Sequence, residues 1–262
     1  MKTQFSCYFC CGKRFWRIRR NHLKCKQCRK ELTVSFGRLQ LSKYHWRKII
    51  YWFVLEQSSN RIQEQTNISK YLILKSLLVL RQQMLLDVPK VFSGIVEVDE
   101  TYIGGQWKNK RLSIKAKLPR SKKGKGTTKQ PVFGILCRSG KVWAELIQGV
   151  EAPDLQPIIQ KKVKRGSTVC SDTWRGYTGI AAKGYVHRLV EHGKQEYVDK
   201  QGNHINGLEG FWGYLKRKLV AKGGIRKSRL HLYLGEYVWR YNHRDLNIKE
   251  QVKYLLNLVA KI

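Results

Sequence analysis

The chain has 262 residues, 42% hydrophobic, and carries 52 Lys and Arg against 18 Asp and Glu, a formal net charge of +34. That length supports one substantial core plus one or two small modules, and the apolar runs fall far short of the ~20 residues that a membrane-spanning helix needs. A positive excess this large repels itself unless a polyanion is the partner, and nucleic acid is the commonest one.

Five of the seven cysteines precede residue 29 in a polar stretch that lacks a secretory h-region. They fit a reducing compartment and a metal site better than a disulfide framework. Cys7-x2-Cys10 and Cys25-x2-Cys28 form two CxxC pairs with 14 residues between them. Each pair presents two thiolates from one tight turn, and four thiolates close a tetrahedral zinc shell. The intervening Lys13–Arg20 segment reads as a short basic hairpin, so residues 1–38 are expected to form a zinc ribbon, a unit too small to fold without its structural zinc. Cys11 offers the alternative register Cys7-x3-Cys11; Cys10 is the preferred ligand. The ribbon's expected role is to grip DNA or another protein, the alternative being a purely structural knob.

Residues 39–90 predict three helices with tight joints. Leu41, Trp46, Ile49, Ile50, Phe53 and Val54 recur at helical spacing. Ser58-Ser59-Asn60 offers N-cap chemistry for a short helix over about 61–65. A longer helix then runs from Lys70 to about Leu86. This pattern matches a helix-turn-helix DNA-binding module, a helical spacer being the plainer alternative. Val88-Pro89-Lys90 marks the boundary.

Residues 91–262 read as strand (92–103), hairpin (131–137 and 141–147, turning at Ser139-Gly140), helix (Leu155 to Val163), strand (168–172), strand (185–190) and helix (208–220). This is the element order of a ribonuclease-H-like α/β fold, in which the first and fourth strands lie side by side at the sheet centre. The placement of the scarce acids gives the order its meaning. Glu97, Asp99 and Glu100 crowd into one apolar strand, Asp172 ends another, and Glu209 opens an aromatic-rich helix. In this fold Asp99 and Asp172 would meet. Two-metal phosphoryl transfer needs carboxylates that hold ions about 3.5–4 Å apart, and carboxylate ligands favour Mg2+ or Mn2+ over zinc. Glu97 shares Asp99's strand face and is its rival, whereas Glu100 faces the other way. Asp172 could instead cap the following turn. Asn206-x-x-Glu209 is also a capping-box pattern, and the Asn206 amide oxygen could itself reach a metal. Lys216 lies two helical turns beyond Glu209, on nearly the same face, placed either to contact a DNA phosphate or to face solvent.

Three motifs, Gly94-Ile-Val-Glu-Val-Asp-Glu-Thr-Tyr-Ile-Gly-Gly105, Ser171-Asp-Thr-Trp-Arg-Gly-Tyr177 and His204-Ile-Asn-Gly-Leu-Glu-Gly-Phe-Trp212, followed by Leu215-Lys-Arg217, resemble those of bacterial insertion-sequence transposases. The group has an N-terminal zinc ribbon and a DDE-type catalytic domain and is related to the eukaryotic Merlin elements. The resemblance covers nearly the whole chain. It implies metal-dependent cleavage at element ends, then attack of the freed 3′-hydroxyl on target DNA. On this sequence it makes Asp99, Asp172 and Glu209 the acids; in part of the family an asparagine serves as third ligand, which would be Asn206 here, and Glu209 is favoured. The doubled Cys10-Cys11, where relatives tend to have Cys-Gly, departs from the pattern. Competing readings are a regulator that kept the fold and lost catalysis, and a ribonuclease-H-like nuclease or resolvase without strand transfer.

Between Gln106 and Gln130 there are ten Lys or Arg and no acid. This insert, with Lys108, Lys110, Arg111, Lys122, Lys123 and Lys125, is expected to emerge beside the active site and grip phosphates, the plainer reading being a solvated loop. Trp174 is a candidate for stacking on unpaired bases, with Arg175 beside it. His204 and the segment 240–244 are further DNA-contact candidates. The expected setting is a cytoplasmic, nucleoid-associated protein on double-stranded DNA, acting there as a homodimer or larger assembly.

Overall fold

The computed structural model describes residues 10, 12–19, 22–33, 39, 41–105, 112–117, 127, 129–138, 140–190 and 206–260. Backbone contacts divide the chain into two units, 1–83 with 246–262, and 84–245.

In the first unit, β1 (Phe15–Arg19), β2 (His22–Cys25) and β3 (Glu31–Thr33) form an antiparallel three-stranded sheet. The Lys13–Arg20 segment, expected to form a hairpin by itself, supplies only β1, and its antiparallel partner β2 lies beyond it. Three helices follow, α1 (Lys43–Val54), α2 (Ser59–Thr66) and α3 (Lys70–Leu86). The Ser42 hydroxyl caps α1 by accepting the His45 N–H, and Ser58 caps α2 by accepting that of Arg61. Asn67, in the left-handed region at φ 55°, ends α2, a conformation its short polar side chain tolerates. The α1 stripe of Trp46, Ile49, Ile50 and Phe53 is buried. Against α1 packs a helix that the sequence boundaries had placed elsewhere. This is α8 (Ile248–Val259), opened by a reciprocal capping box between Asn247 and Glu250. The expected catalytic span ran to residue 262; by backbone contacts α8, with Val252, Leu255 and Val259 buried, groups with the helical module.

The second unit is built on a five-stranded sheet of order β6-β5-β4-β7-β8. Its strands are β4 (Ile95–Ile103), β5 (Gln130–Cys137), β6 (Val142–Leu146), β7 (Thr168–Ser171) and β8 (Val186–Leu189). β5 is antiparallel to β4 and β6, whereas β4, β7 and β8 run parallel. The first and fourth strands are therefore neighbours, the ribonuclease-H-like order. Side chains alternate across the sheet. Val96, Val98, Phe133 and Ile135 pack on one face with Leu155 and Ile159 of α5 (Ala152–Lys162). On the other face Val132 and Leu136 pack with Leu208, Phe211 and Leu215 of α6 (Asn206–Val220) and with α7 (Leu230–Asn242). Within the basic insert, Leu112–Lys117 forms a short helix, α4.

The end of α7 is fastened to the sheet edge by polar contacts. The Asn242 side chain accepts the Val142 N–H at 2.7 Å and donates to its carbonyl at 2.8 Å. Arg240 and Glu236 form a buried ion pair at 3.0 Å, and Arg244 donates to the carbonyls of Gly140 and Tyr241. The reading of 240–244 as a DNA-contact segment is thereby corrected for Arg240 and Asn242, which are buried and bonded inside the fold.

Candidate active site

Strand parity decides which acids of β4 face which helix. Glu97 and Asp99 lie on the α6 face. Glu97, 1% exposed, accepts the Leu208 N–H at 2.8 Å and so supplies an acceptor to the N-terminus of α6, where donors lack partners and negative charge is favoured. Gly207 makes the approach possible, since a Cβ there would stand 3.1 Å from both Glu97 oxygens. The rival for the first catalytic position is thus engaged in anchoring the helix.

Asp99, two residues on, accepts the indole N–H of Trp212 at 2.9 Å. That contact depends on the strand alongside. Gly134 is the register partner of Asp99 on β5, and a Cβ on it would meet the Trp212 ring at 2.6 Å. The bare backbone therefore leaves the space in which the indole lies. Burial foremost pushes the Asp99 carboxyl up to about 7. The Trp212 hydrogen bond pulls the other way, and the charges of Asp172 and Glu209 add to the rise. Acids from β4, the end of β7 and the first turn of α6 are close enough for their charges to act on one another at Asp99.

Glu100 faces the opposite side, as parity requires. It accepts the hydroxyl of the buried Tyr177 at 2.5 Å, and burial likewise holds its carboxyl up at about 7, against the Tyr177 hydrogen bond and with the charges of Asp99 and Asp172 adding. The segment after β7 is tied down at several points. Asp172 accepts the Trp174 N–H at 3.0 Å, the Trp174 indole donates to the Val150 carbonyl at 2.7 Å, and Gln156 donates to the carbonyls of Gly176 and Thr178. The turn-capping alternative for Asp172 is therefore present alongside its proximity to Asp99. Trp174 packs against the core with its N–H engaged, whereas Arg175 is 70% exposed and lies 3.5 Å from Glu151.

Asn206 and Glu209 are both exposed on the first turn of α6. Lys216, two turns on, is depressed by burial, with the Asp99 charge opposing and Lys129 adding to the depression. It lines a groove of about 650 Å³ together with Gly104, Gly105, Lys129, Gln130 and Lys227. The basic insert leaves β4 and rejoins β5 at that groove. Lys108, Lys110, Arg111, Lys122, Lys123, Lys125 and His204 lie outside the described residues.

In the N-terminal sheet, the ligand atoms of Cys10, Cys25 and Cys28 lie within 4.8 Å of one another, the one such trio of Cys, His, Asp and Glu among the described residues. The Cys10 and Cys25 sulfurs are 3.5 Å apart. Backbone hydrogen bonding from Cys28 is the first cause that lowers the Cys25 thiol to about 7, toward the thiolate that zinc requires. Gly12 allows the cluster to close, for a Cβ there would come within 3.2 Å of the Cys25 sulfur and 3.3 Å of that of Cys10. Cys7 lies outside the described residues.

Three site features escaped the sequence reading: the Trp212 donor to Asp99, the Glu97 anchor and the Tyr177–Glu100 pair. Trp212 sat on the predicted buried stripe, three residues past Glu209, which was the available signal.

Comparison with known proteins gives the following. An uncharacterized transposase-like protein of Haemophilus influenzae (strain ATCC 51907 / DSM 11121 / KW20 / Rd) is 36% identical over 119 residues, covering 45% of this chain and 94% of the relative. Among solved structures, the catalytic core domain of BIV integrase is similar at 17% identity, over 55% of this chain and 81% of that one, with a TM-score of 0.33. The Mos1 transposase paired-end complex with left transposon end matches at 10% identity, over 89% of this chain and 83% of that one, with a TM-score of 0.23. The profile of the ISXO2-like transposase domain matches residues 91–242. That span is more than half of the chain and takes in Asp99, Asp172 and Glu209 together, so the chain belongs to the ISXO2-like transposase family.

Proposed function

We propose that this transposase cleaves DNA at the ends of an insertion sequence and joins the freed 3′ end to target DNA, using Asp99, Asp172 and either Glu209 or Asn206 to hold two Mg2+ or Mn2+ ions. One observation carries the reading: the charges of two acids from other elements, Asp172 and Glu209, act on a buried Asp99. In a chain of net charge +34, acids gathered against their own repulsion fit a cation better than any neighbouring lysine salt bridge. Two such ions, when bound, would activate the attacking oxygen and stabilise the leaving one.

The chain's own residues have definable parts in this chemistry. Trp212 orients the Asp99 carboxylate through its N–H. Glu97 holds the start of α6, and with it Asn206 and Glu209, against β4. Lys216, beside Asp99, is placed to draw in a DNA phosphate, and the insert would extend that grip along the backbone. Cys7, Cys10, Cys25 and Cys28 would hold a structural zinc, and the ribbon with the helical module would bind the element ends as double-stranded DNA, in a dimer or larger assembly.

Incubation with the element's own flanking DNA and Mg2+ or Mn2+ tests the proposal, with nicks scored at the boundary. Asp99→Asn and Asp172→Asn are expected to abolish nicking while end binding persists. Nicking retained in both variants would end the two-metal reading.

A further inference from the structure

The helical unit holds a second groove, of about 920 Å³, walled by α1 and α8 with Gln65 of α2. Lys43, Arg47 and Lys48 line it from α1, and Lys249 and Lys253 from α8, with no Asp or Glu among the described residues of its wall. Between the cations the wall is apolar and aromatic, with Trp52, Val252 and Leu256 beside two tyrosines. Tyr44 is 54% exposed and Tyr51 44% exposed. Seven residues apart on one helix, they are two turns apart on nearly the same face, about 10.5 Å along the axis. The Lys48 ammonium sits 4.9 Å over the Tyr44 ring.

We propose that this groove binds a single strand of nucleic acid, with phosphates on the four lysines and one arginine named and bases stacked on Tyr44 and Tyr51. Cations that track a backbone, interleaved with exposed aromatic rings, are the combination that sequence-tolerant single-strand sites use. A duplex hides the faces of its bases within the stack, so on the cationic rim it would leave both rings unused. A single strand offers a face at every base, and at a stacked rise of about 3.4 Å, roughly three nucleotides span the distance between the rings. An acidic peptide would match the charges but brings no planar groups to the tyrosines.

The test uses the full-length, zinc-loaded protein and a labelled oligothymidylate at physiological salt, read by fluorescence anisotropy, with a duplex and a polyglutamate peptide as comparison ligands. Tyr44→Ala and Tyr51→Ala are each expected to weaken oligothymidylate binding by about tenfold, the scale of one lost base stack, and to leave duplex binding unchanged. Lys48→Glu with Lys253→Glu should weaken it further and flatten its salt dependence. Because both rings are exposed, thermal melting should match the wild type. Unchanged oligothymidylate affinity in the double tyrosine variant would overturn the inference. So would binding of polyglutamate, lost in that variant, where oligothymidylate does not bind. Cleavage plays no part in the readout, so failure of the two-metal reading leaves this result untouched.

Discussion

Asp99 ionises against burial and against the charges of Asp172 and Glu209, and the Trp212 hydrogen bond only partly offsets them. In the unfolded chain the same carboxyl loses its proton near 3.8, against about 7 in the fold; for Glu100 the values are 4.5 and about 7. Both groups therefore favour the folded state below their unfolded values, and that contribution is lost as pH rises through about 7. Melting of the metal-free protein should fall from about pH 5 to about pH 8, and Asp99→Asn should flatten the slope; an unchanged slope would assign it elsewhere. Tyr177→Phe, which keeps the ring and removes the donor to Glu100, should cost about 1 to 2 kcal/mol in a denaturant titration. Glu100→Gln should cost less, since an amide oxygen still accepts the hydroxyl. Strand parity made the opposite facing of Asp99 and Glu100 legible in advance. The donor to Asp99 was not, because it lies 113 positions away and periodicity says that Trp212 is buried without saying which polar group it meets.

Elements that carry their own punctuation were read closely. α3 begins and ends where periodicity put it, and the Ser58 cap opens α2 at Ser59, two residues upstream of the segment the sequence had marked. α7 and α8 were missed as separate elements, and the Asn247–Glu250 capping box shows that a local signal existed. What no local signal holds is the return of α8 to α1, a tertiary choice. Leu255→Ala, at a fully buried position, should destabilise the helical unit by about 2 to 5 kcal/mol, seen as an earlier loss of helical signal on heating. Gly134→Ala should act on the site instead. With the Trp212 ring 2.6 Å from the new methyl, the indole must move off Asp99, at about 1 to 3 kcal/mol of overpacking and with reduced nicking; wild-type nicking would show that the Trp212–Asp99 contact is dispensable. Chelating zinc should impair end recognition before it affects use of the catalytic metal, and equal binding with all four ribbon cysteines replaced would contradict that.

At the scale of the whole chain, a net charge of +34 makes phosphate neutralisation the dominant expectation. If about six charges of the insert pair with phosphates, log affinity for duplex DNA should fall with log salt at a slope near −5, taking roughly 0.9 per contact. Against that background the acids decide the chemistry, because a basic protein needs no carboxylate cluster merely to hold DNA. Calorimetric titration of Mn2+ into the full-length, zinc-loaded protein without DNA tests this most directly. The expected result is binding in the wild type that is lost in both Asp99→Asn and Asp172→Asn, while both variants keep a cooperative melting transition. Equal Mn2+ binding in all three proteins would show that these acids do not share a metal site.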